Sequence, residues 1–320
     1  MLKWRLISAS LVLSLLVLLL VCDYQRIGFA RSGVWLVPLV FAIAIMATRE
    51  LLDLMTPASE LTAVPDSGGR NLEIRPMAWS TYVGTSAIVA GACVPMLWRS
   101  YPVDCPLGKF GWPLMGLGLG IGLAFLGEMR RFQQPGGITV RLASGILTMA
   151  YAGVLVSFLV ALRQFHSHEW GMAALVSTIA IVKMSDTGAY FTGRLLGRHP
   201  LTPLLSPKKT IEGAAGGILA SVLTSWLMLN VVTPALFVPA AVPQPALRWT
   251  TLGTVLALVA MFGDLAESLL KRDLGKKDSS RWLPGLGGIL DMIDSLLFAA
   301  PVAYLCWAAG LVGPLTAIPP

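Results

Sequence analysis

Long apolar runs separated by short polar segments recur along the whole chain, and their lengths set the fold class. A bilayer core of about 30 Å needs roughly 20 helical residues, with a range of about 17–25. Nine runs approach or reach that length: Arg5–Cys22, Gly33–Thr48, Met77–Trp98, Phe110–Gly127, Leu142–Leu162, Gly171–Met184, Gly213–Val232, Trp249–Leu270 and Gly288–Val312. The second and sixth are the shortest. The pattern predicts an all-α polytopic membrane protein with about nine transmembrane helices. The first run follows Lys3 and Arg5, as a signal peptide would. It is longer than the usual apolar core of about 7–15 residues and leads into Asp23, Tyr24, Gln25 and Arg26 rather than a small-residue cleavage site, so it reads as a retained spanning helix. No internal repeat or low-complexity linker divides the chain, and one integrated membrane domain is the economical reading. Within it, residues 1–165 are helices of unassigned role, and 166–320 hold the residues suited to chemistry.

Composition agrees with that patterning. Of the 320 residues, 55% are apolar and 13% charged, with a mean hydropathy of +0.72. Soluble domains carry about 25% charged residues. The net charge of +7 raises the question of nucleic acid, but the basic residues form no basic domain and no nucleic-acid partner is expected. They lie in short loops between spans, where Lys and Arg mark the cytoplasmic side. With a cytoplasmic N-terminus, 18 of the 24 Lys and Arg fall inside, which places the C-terminus outside. The loops after the sixth and eighth spans are then cytoplasmic. Cys22, Cys93, Cys105 and Cys306 show no metal-site spacing and read as small apolar residues. His166, His168 and Glu169 fall on the outer side, away from the two loops.

Two stripes of polar residues interrupt the apolar spans. Asp264, Glu267, Ser268 and Lys271 recur at i, i+3, i+4 and i+7, one face of a helix. Asp291, Asp294 and Ser295 repeat the start of that spacing in the last span. An ionisable group near a bilayer centre costs about 2.5–3.5 kcal/mol on insertion scales, so such stripes must face protein or water. Two facing acidic stripes would make a hard-oxygen site suited to Mg²⁺; the plainer alternative is that the acids pair with Lys271, Arg272 or Lys277 and hold helices together. In the other loop, Gly193 and Gly197 alternate with Arg194 and Arg198, and Ser206, Pro207, Lys208, Lys209 and Thr210 follow. Glycines there would let backbone approach a phosphate, while Lys208, Lys209 and Thr210 supply charge and a hydroxyl. No Walker A pattern is present. The alternating Gly116, Gly118, Gly120 and Gly122, and Gly213 to Gly217, offer small faces for close helix packing.

The stretch from Ser185 to Gly213 resembles the phosphatidate cytidylyltransferase family, in which an Asp-x-x-Ala-Tyr-x-x-Gly segment leads to Ser-Pro-Lys-Lys-Thr-x-Glu-Gly. Here these are Asp186, Ala189, Tyr190 and Gly193, then Ser206 to Thr210, Glu212 and Gly213. The stretch Gly263 to Ser295 is similar to that family's C-terminal signature through Ser268, Lys271, Arg272, Lys277, Asp278, Pro284, Gly285, Gly287, Gly288, Asp291 and Asp294. The resemblance covers roughly residues 171–300. Leu286 stands where the family has His, and Met292 where it has Arg between the two acids. A phosphate monoester is largely ionised at neutral pH, its second pKa being about 6, so attack on CTP needs no histidine base.

The resemblance implies synthesis of CDP-diacylglycerol and diphosphate from CTP and phosphatidate at the cytoplasmic face of a bacterial inner membrane. It implies that Asp264 and Asp291 hold Mg²⁺, with room for a second cation, and that Asp186 joins the same cluster. Lys208, Lys209, Lys271 and Arg272 would neutralise the triphosphate, Ser206 and Ser268 would position phosphate oxygens, and Thr210, Lys277 and Asp278 would complete the nucleotide site. The lipid bilayer supplies the phosphatidate, and the arrangement leaves a homodimer open. Rival readings are a CTP-dependent polyprenol or phytol kinase, a cytidylyltransferase for another lipid phosphate, and an ion-coupled transporter. The pattern of the CDP-alcohol phosphotransferases is absent.

Overall fold

A computed structural model of the chain describes residues 2–28, 31–56, 64–65, 71–72, 75–102, 104–133, 136–276, 279–280 and 287–313. The order of elements is α1 (Leu2–Tyr24), α2 (Val37–Leu54, entered through a 3-10 turn at Val34–Leu36), β1 (Val64–Pro65), β2 (Asn71–Leu72), α3 (Ala78–Leu97), α4 (Gly108–Arg131) and α5 (Ile138–Met149). A π-helical stretch at Ala150–Val154 leads into α6 (Leu155–Arg163). Then come α7 (His168–Leu196), β3 (Pro200–Thr202), β4 (Ser206–Thr210), α8 (Ile211–Leu227, continued as π-helix over Met228–Phe237), α9 (Ala246–Asp273) and α10 (Ile289–Ala308).

Each of the nine apolar runs lies on a helix. Seven helical segments among the described residues are long and apolar enough to cross a membrane by length and composition: Val34–Leu54, Ala78–Leu97, Gly108–Arg131, Ile138–Arg163, Ile211–Phe237, Ala246–Asp273 and Ile289–Ala308. The apolar part of α1, Ser8–Tyr24, is shorter, and α7 is long but carries Lys183, Asp186 and Arg194. The protein is an all-α, multi-pass membrane protein.

The sequence pattern predicts a loop from Lys183 to Gly213, and here the structure differs. α7 continues without a break to Leu196, and a β3–β4 hairpin fills the remainder. At 1.5 Å per residue its 29 residues span about 43 Å, well beyond a hydrocarbon core. Glycine, threonine and charge in this stretch argue for a loop, but packing overrides propensity. Gly193 lies against Thr210 and Gly213, Gly188 against Ala220 and Gly216, and Gly217 against the Ser185 carbonyl. These glycines bring α7 and α8 together and are not available as a phosphate-cradling loop.

The chain divides into two compact units. The first comprises Met1–Val160 and Leu270–Met292, the second Ala161–Leu269 and Ile293–Pro320. In the first, α3 and α4 pack closely through glycine. A methyl group at Gly116 would strike the backbone of Ala87 and Ile88, and one at Gly120 would strike Gly84, whereas Gly118 and Gly122 face open space. The i, i+4 pair Gly116 and Gly120 is therefore the packing face and the other two glycines are not. Glu128 of α4 receives Arg141 of α5 through both carboxylate oxygens at 2.7–3.1 Å. In the second unit, Phe165, Trp170 and Tyr304 surround the fully buried Trp307 region, with Phe165 and Trp170 each edge-on to Trp307. Arg163, also buried, donates to the carbonyl of His168 and lies 2.9 Å from its Nδ1. His168 thus serves the N-terminal turn of α7, where Ser167 accepts from the Trp170 N–H.

Candidate active site

In the second unit, three separate stretches of sequence converge on Asp264. The β3–β4 hairpin is antiparallel, with Pro200 opposite Thr210 and Thr202 opposite Ser206. Its base is tied by Glu212, whose carboxylate accepts the N–H groups of Arg198 and His199 at 3.1 and 3.2 Å and holds the His199 ring at 2.6 Å. Thr210 is the N-cap of α8, its hydroxyl accepting the Gly213 N–H at 3.1 Å. That bond uses the oxygen and leaves the hydroxyl proton to donate. Successive strand residues point to opposite faces. Lys209 places its ammonium 2.7 Å from Asp264 Oδ2 on α9, while Lys208 is exposed. The sequence pattern groups these two lysines; the strand separates them.

Asp264 also acts electrostatically on Asp186 of α7 and Asp294 of α10. Ser295 Oγ donates within reach of both Asp186 and Asp294, at 3.3 and 3.1 Å, and the Ser295 N–H bonds Asp294 at 2.5 Å. Lys183 lies 3.3 Å from Asp186. The stripe of α9 that packs inside the protein runs Gly253, Leu256, Ala257, Ala260, Gly263 and Glu267. At Gly263 a methyl group would meet the Asp294 carbonyl and Phe298, so the glycine sets how closely α9 and α10 approach within this unit. Glu267 is 1% exposed and neighbours Asp294, and Ser268 beside it is half-buried.

In the first unit, Asp291 is the centre of a second arrangement. Its Oδ1 accepts from Lys271 at 2.7 Å, and its Oδ2 accepts from Ser279 Oγ at 2.7 Å and the Gly288 N–H at 2.8 Å. Asp291 stands at the third position of α10 and reaches back to the residue before the helix, the acidic half of a capping box. Glu50 of α2, 4% exposed, completes the cap: it accepts the N–H groups of Ile289 and Leu290 at 2.9 and 2.8 Å, and its Oε2 lies 3.1 Å from Ser279 Oγ. Two carboxylates at a helix N-terminus match the positive end of its dipole. The Gly287–Gly288 pair follows directly. Gly287 has φ +87°, and a side chain at Gly288 would collide with Glu50 and Ser279. Arg272 is exposed at the end of α9. Lys277 and Asp278, with Arg281 and Leu286, lie outside the described residues.

Magnesium suits these donors. They are hard carboxylate and hydroxyl oxygens, and Mg²⁺ binds through one or two carboxylates with waters and substrate phosphates completing its octahedron. Among the described residues no three His, Cys, Asp or Glu side chains form a metal cage by themselves.

The profile of the cytidylyltransferase family matches residues 3–309. The chain belongs to the cytidylyltransferase family. Its similarity to individual relatives is concentrated in part of its length. A phosphatidate cytidylyltransferase of Staphylococcus epidermidis is 40% identical over 157 residues, covering 49% of this chain and 55% of its own. One from Staphylococcus aureus is 38% identical over 159 residues, with 49% and 55% covered. One from Helicobacter pylori is 47% identical over 133 residues, with 41% and 46% covered. The chain spans about half the length of the curated relatives it matches.

The residues that sequence singles out fall on four supports: α7 for Asp186, β4 for Ser206 and Lys209, α9 for Asp264, Ser268 and Lys271, and α10 for Asp291. Glu50 is the residue that sequence reasoning misses. It ends an apolar run next to Arg49, which reads as a solvated membrane edge, and its partner N–H lies 239 residues further along the chain. Only an acid at a helix end, with another acid three residues later at Asp53, hinted at more.

Proposed function

We propose that this cytidylyltransferase-family protein transfers the cytidylyl group of CTP to phosphatidate, forming CDP-diacylglycerol and diphosphate at the cytoplasmic face of a bacterial inner membrane. The observation that carries the reading is the ion pair between Lys209 and Asp264. It joins the two motifs shared with this enzyme family at one place, with Asp186 and Asp294 beside it. The names of the curated relatives support the choice of substrate.

An oxygen of the phosphatidate phosphate attacks the α-phosphorus of CTP. The bond from that phosphorus to the oxygen bridging to the β-phosphate breaks, and diphosphate leaves with the electron pair. The attacking group is already ionised near neutral pH, its second pKa being about 6, so no side chain has to remove a proton. Catalysis then consists of positioning and charge neutralisation. Asp264, with Asp186 nearby in the same unit, is suited to hold Mg²⁺; for Asp291 a role as metal ligand is proposed from the signature sequence alone. When bound, the metal supplies charge neutralisation at the phosphates. Lys209 provides a fixed ammonium at the carboxylate cluster. Lys271, held by Asp291, and the exposed Lys208 and Arg272 offer further charge to the triphosphate and leaving diphosphate. Ser206, Ser268 and the free proton of Thr210 can donate to phosphate oxygens.

Purified protein in detergent, given CTP, phosphatidate and Mg²⁺, should form CDP-diacylglycerol detectable by mass spectrometry. Phosphorylation of an added polyprenol or phytol under the same conditions, without any CDP-lipid, would replace this reading with a kinase.

A further inference from the structure

The connection between α9 and α10 carries much of the C-terminal signature, and α2 grips it at both ends. At its start, Lys276 Nζ donates to the carbonyls of Asp53 and Thr56 at 2.5 and 3.0 Å, at the C-terminal end of α2. A helix C-terminus presents unpaired carbonyls and the negative end of the dipole, which an ammonium satisfies. At its far end, Glu50, one turn back on α2, takes the N–H groups of Ile289 and Leu290. Midway, Ser279 bridges the two acids, donating within reach of both Glu50 Oε2 and Asp291 Oδ2.

We propose that Glu50 is a positioning residue for the cytidylyl transfer: it fixes the first turn of α10 so that Asp291, and through it Lys271, are presented in one orientation. This inference rests on the reaction proposed above and gives the N-terminal helices, otherwise without a role, a part in it. Three features separate this carboxylate from an ordinary buried acid. Among the described residues, its hydrogen-bonding partners Ser279, Ile289 and Leu290 belong to the α9–α10 connection or the first turn of α10. It shares Ser279 with Asp291. Gly288 leaves no room for a side chain because Glu50 and Ser279 press against it. Glu50 stands to Asp291 as a hydrogen-bonding partner stands to a metal-binding group, and loss of such partners costs about 10–100-fold in activity or metal affinity.

The test compares Glu50→Gln, Glu50→Ala and Gly288→Ala with Glu128→Gln, which removes the charge of a buried acid on α4 bonded to Arg141 in the same unit. Thermal midpoint, kcat, half-saturating Mg²⁺ and hydrogen exchange of a peptide covering 287–292 are measured for each. The expected result is a kcat about 10- to 100-fold lower and a raised Mg²⁺ requirement in the Glu50 and Gly288 variants. Their 287–292 amides should exchange faster. Glu128→Gln should lower the thermal midpoint while kcat, Mg²⁺ requirement and that peptide's exchange stay at the wild-type level. Unchanged exchange in Glu50→Ala overturns the clamp whether or not the protein has activity. Faster exchange with wild-type kcat and Mg²⁺ requirement overturns the positioning role. Wild-type protein that makes no CDP-diacylglycerol overturns the proposed reaction instead, and the exchange measurement still decides the clamp.

Discussion

Asp264 sits on a helix otherwise rich in Leu, Ala and Val, and its carboxylate lies beside an ammonium from a distant strand and near two further acids. Replacing it with Asn keeps the shape and removes the charge proposed to attract a cation. Asp264→Asn should lower turnover about 100-fold or more, since metal-assisted charge stabilisation is worth several kcal/mol; insertion and folding should persist, as read by a label-transfer assay alongside size-exclusion chromatography. The two adjacent lysines should separate in the same assay. Lys209→Met should remove most activity, whereas Lys208→Met, altering an exposed side chain on the other face of the strand, should act mainly on KM for CTP. Leu286→His, which restores the residue typical of the motif, should leave kcat within a few-fold of wild type because the attacking phosphate needs no base. Asp264 and Asp291 were legible in the sequence because carboxylates in apolar runs are conspicuous. The difference between Lys208 and Lys209 was not, since it depends on a strand that hydropathy does not reveal.

Among the helices, the one least visible in the sequence is α7. Its apolar half is plain, but Lys183, Asp186 and two glycines hide its continuation to Leu196. Those glycines signal a break when read locally and a packing surface once α8 is opposite them. The same distinction gives a test on α4. Gly118→Ala should leave the thermal midpoint unchanged or raise it, because alanine is favoured in a helix by about 1 kcal/mol and the site is open. Gly116→Ala should lower it, because the added methyl meets the α3 backbone and overpacking costs about 1–3 kcal/mol. Thermal unfolding of the two variants in one detergent decides the matter. The clamp on α10 was invisible for another reason: Glu50 and its partners are separated by most of the chain.

For the molecule as a whole, hydropathy was enough to place every apolar run on a helix, because the bilayer imposes one length on all of them. The distribution of Lys and Arg predicts an orientation for those helices, and Cys105 offers a probe of it. It lies in the short connection between α3 and α4, on the side assigned to the exterior. The neighbouring Tyr101 hydroxyl, followed by the N–H groups of Leu107 and Gly108, lowers the Cys105 thiol below its ordinary pKa, which increases the reactive thiolate near neutral pH. A membrane-impermeant thiol reagent applied to intact cells should therefore modify Cys105, and labelling only after lysis would reverse the topology. The proposed cytidylyl transfer stands on the fate of the CTP phosphorus atoms. Parallel reactions with α-labelled and γ-labelled CTP and phosphatidate measure it directly. Cytidylyl transfer puts α label in the lipid and γ label in diphosphate, in equal amounts. Label from the γ position in lipid, or no lipid labelling from the α position, would contradict it.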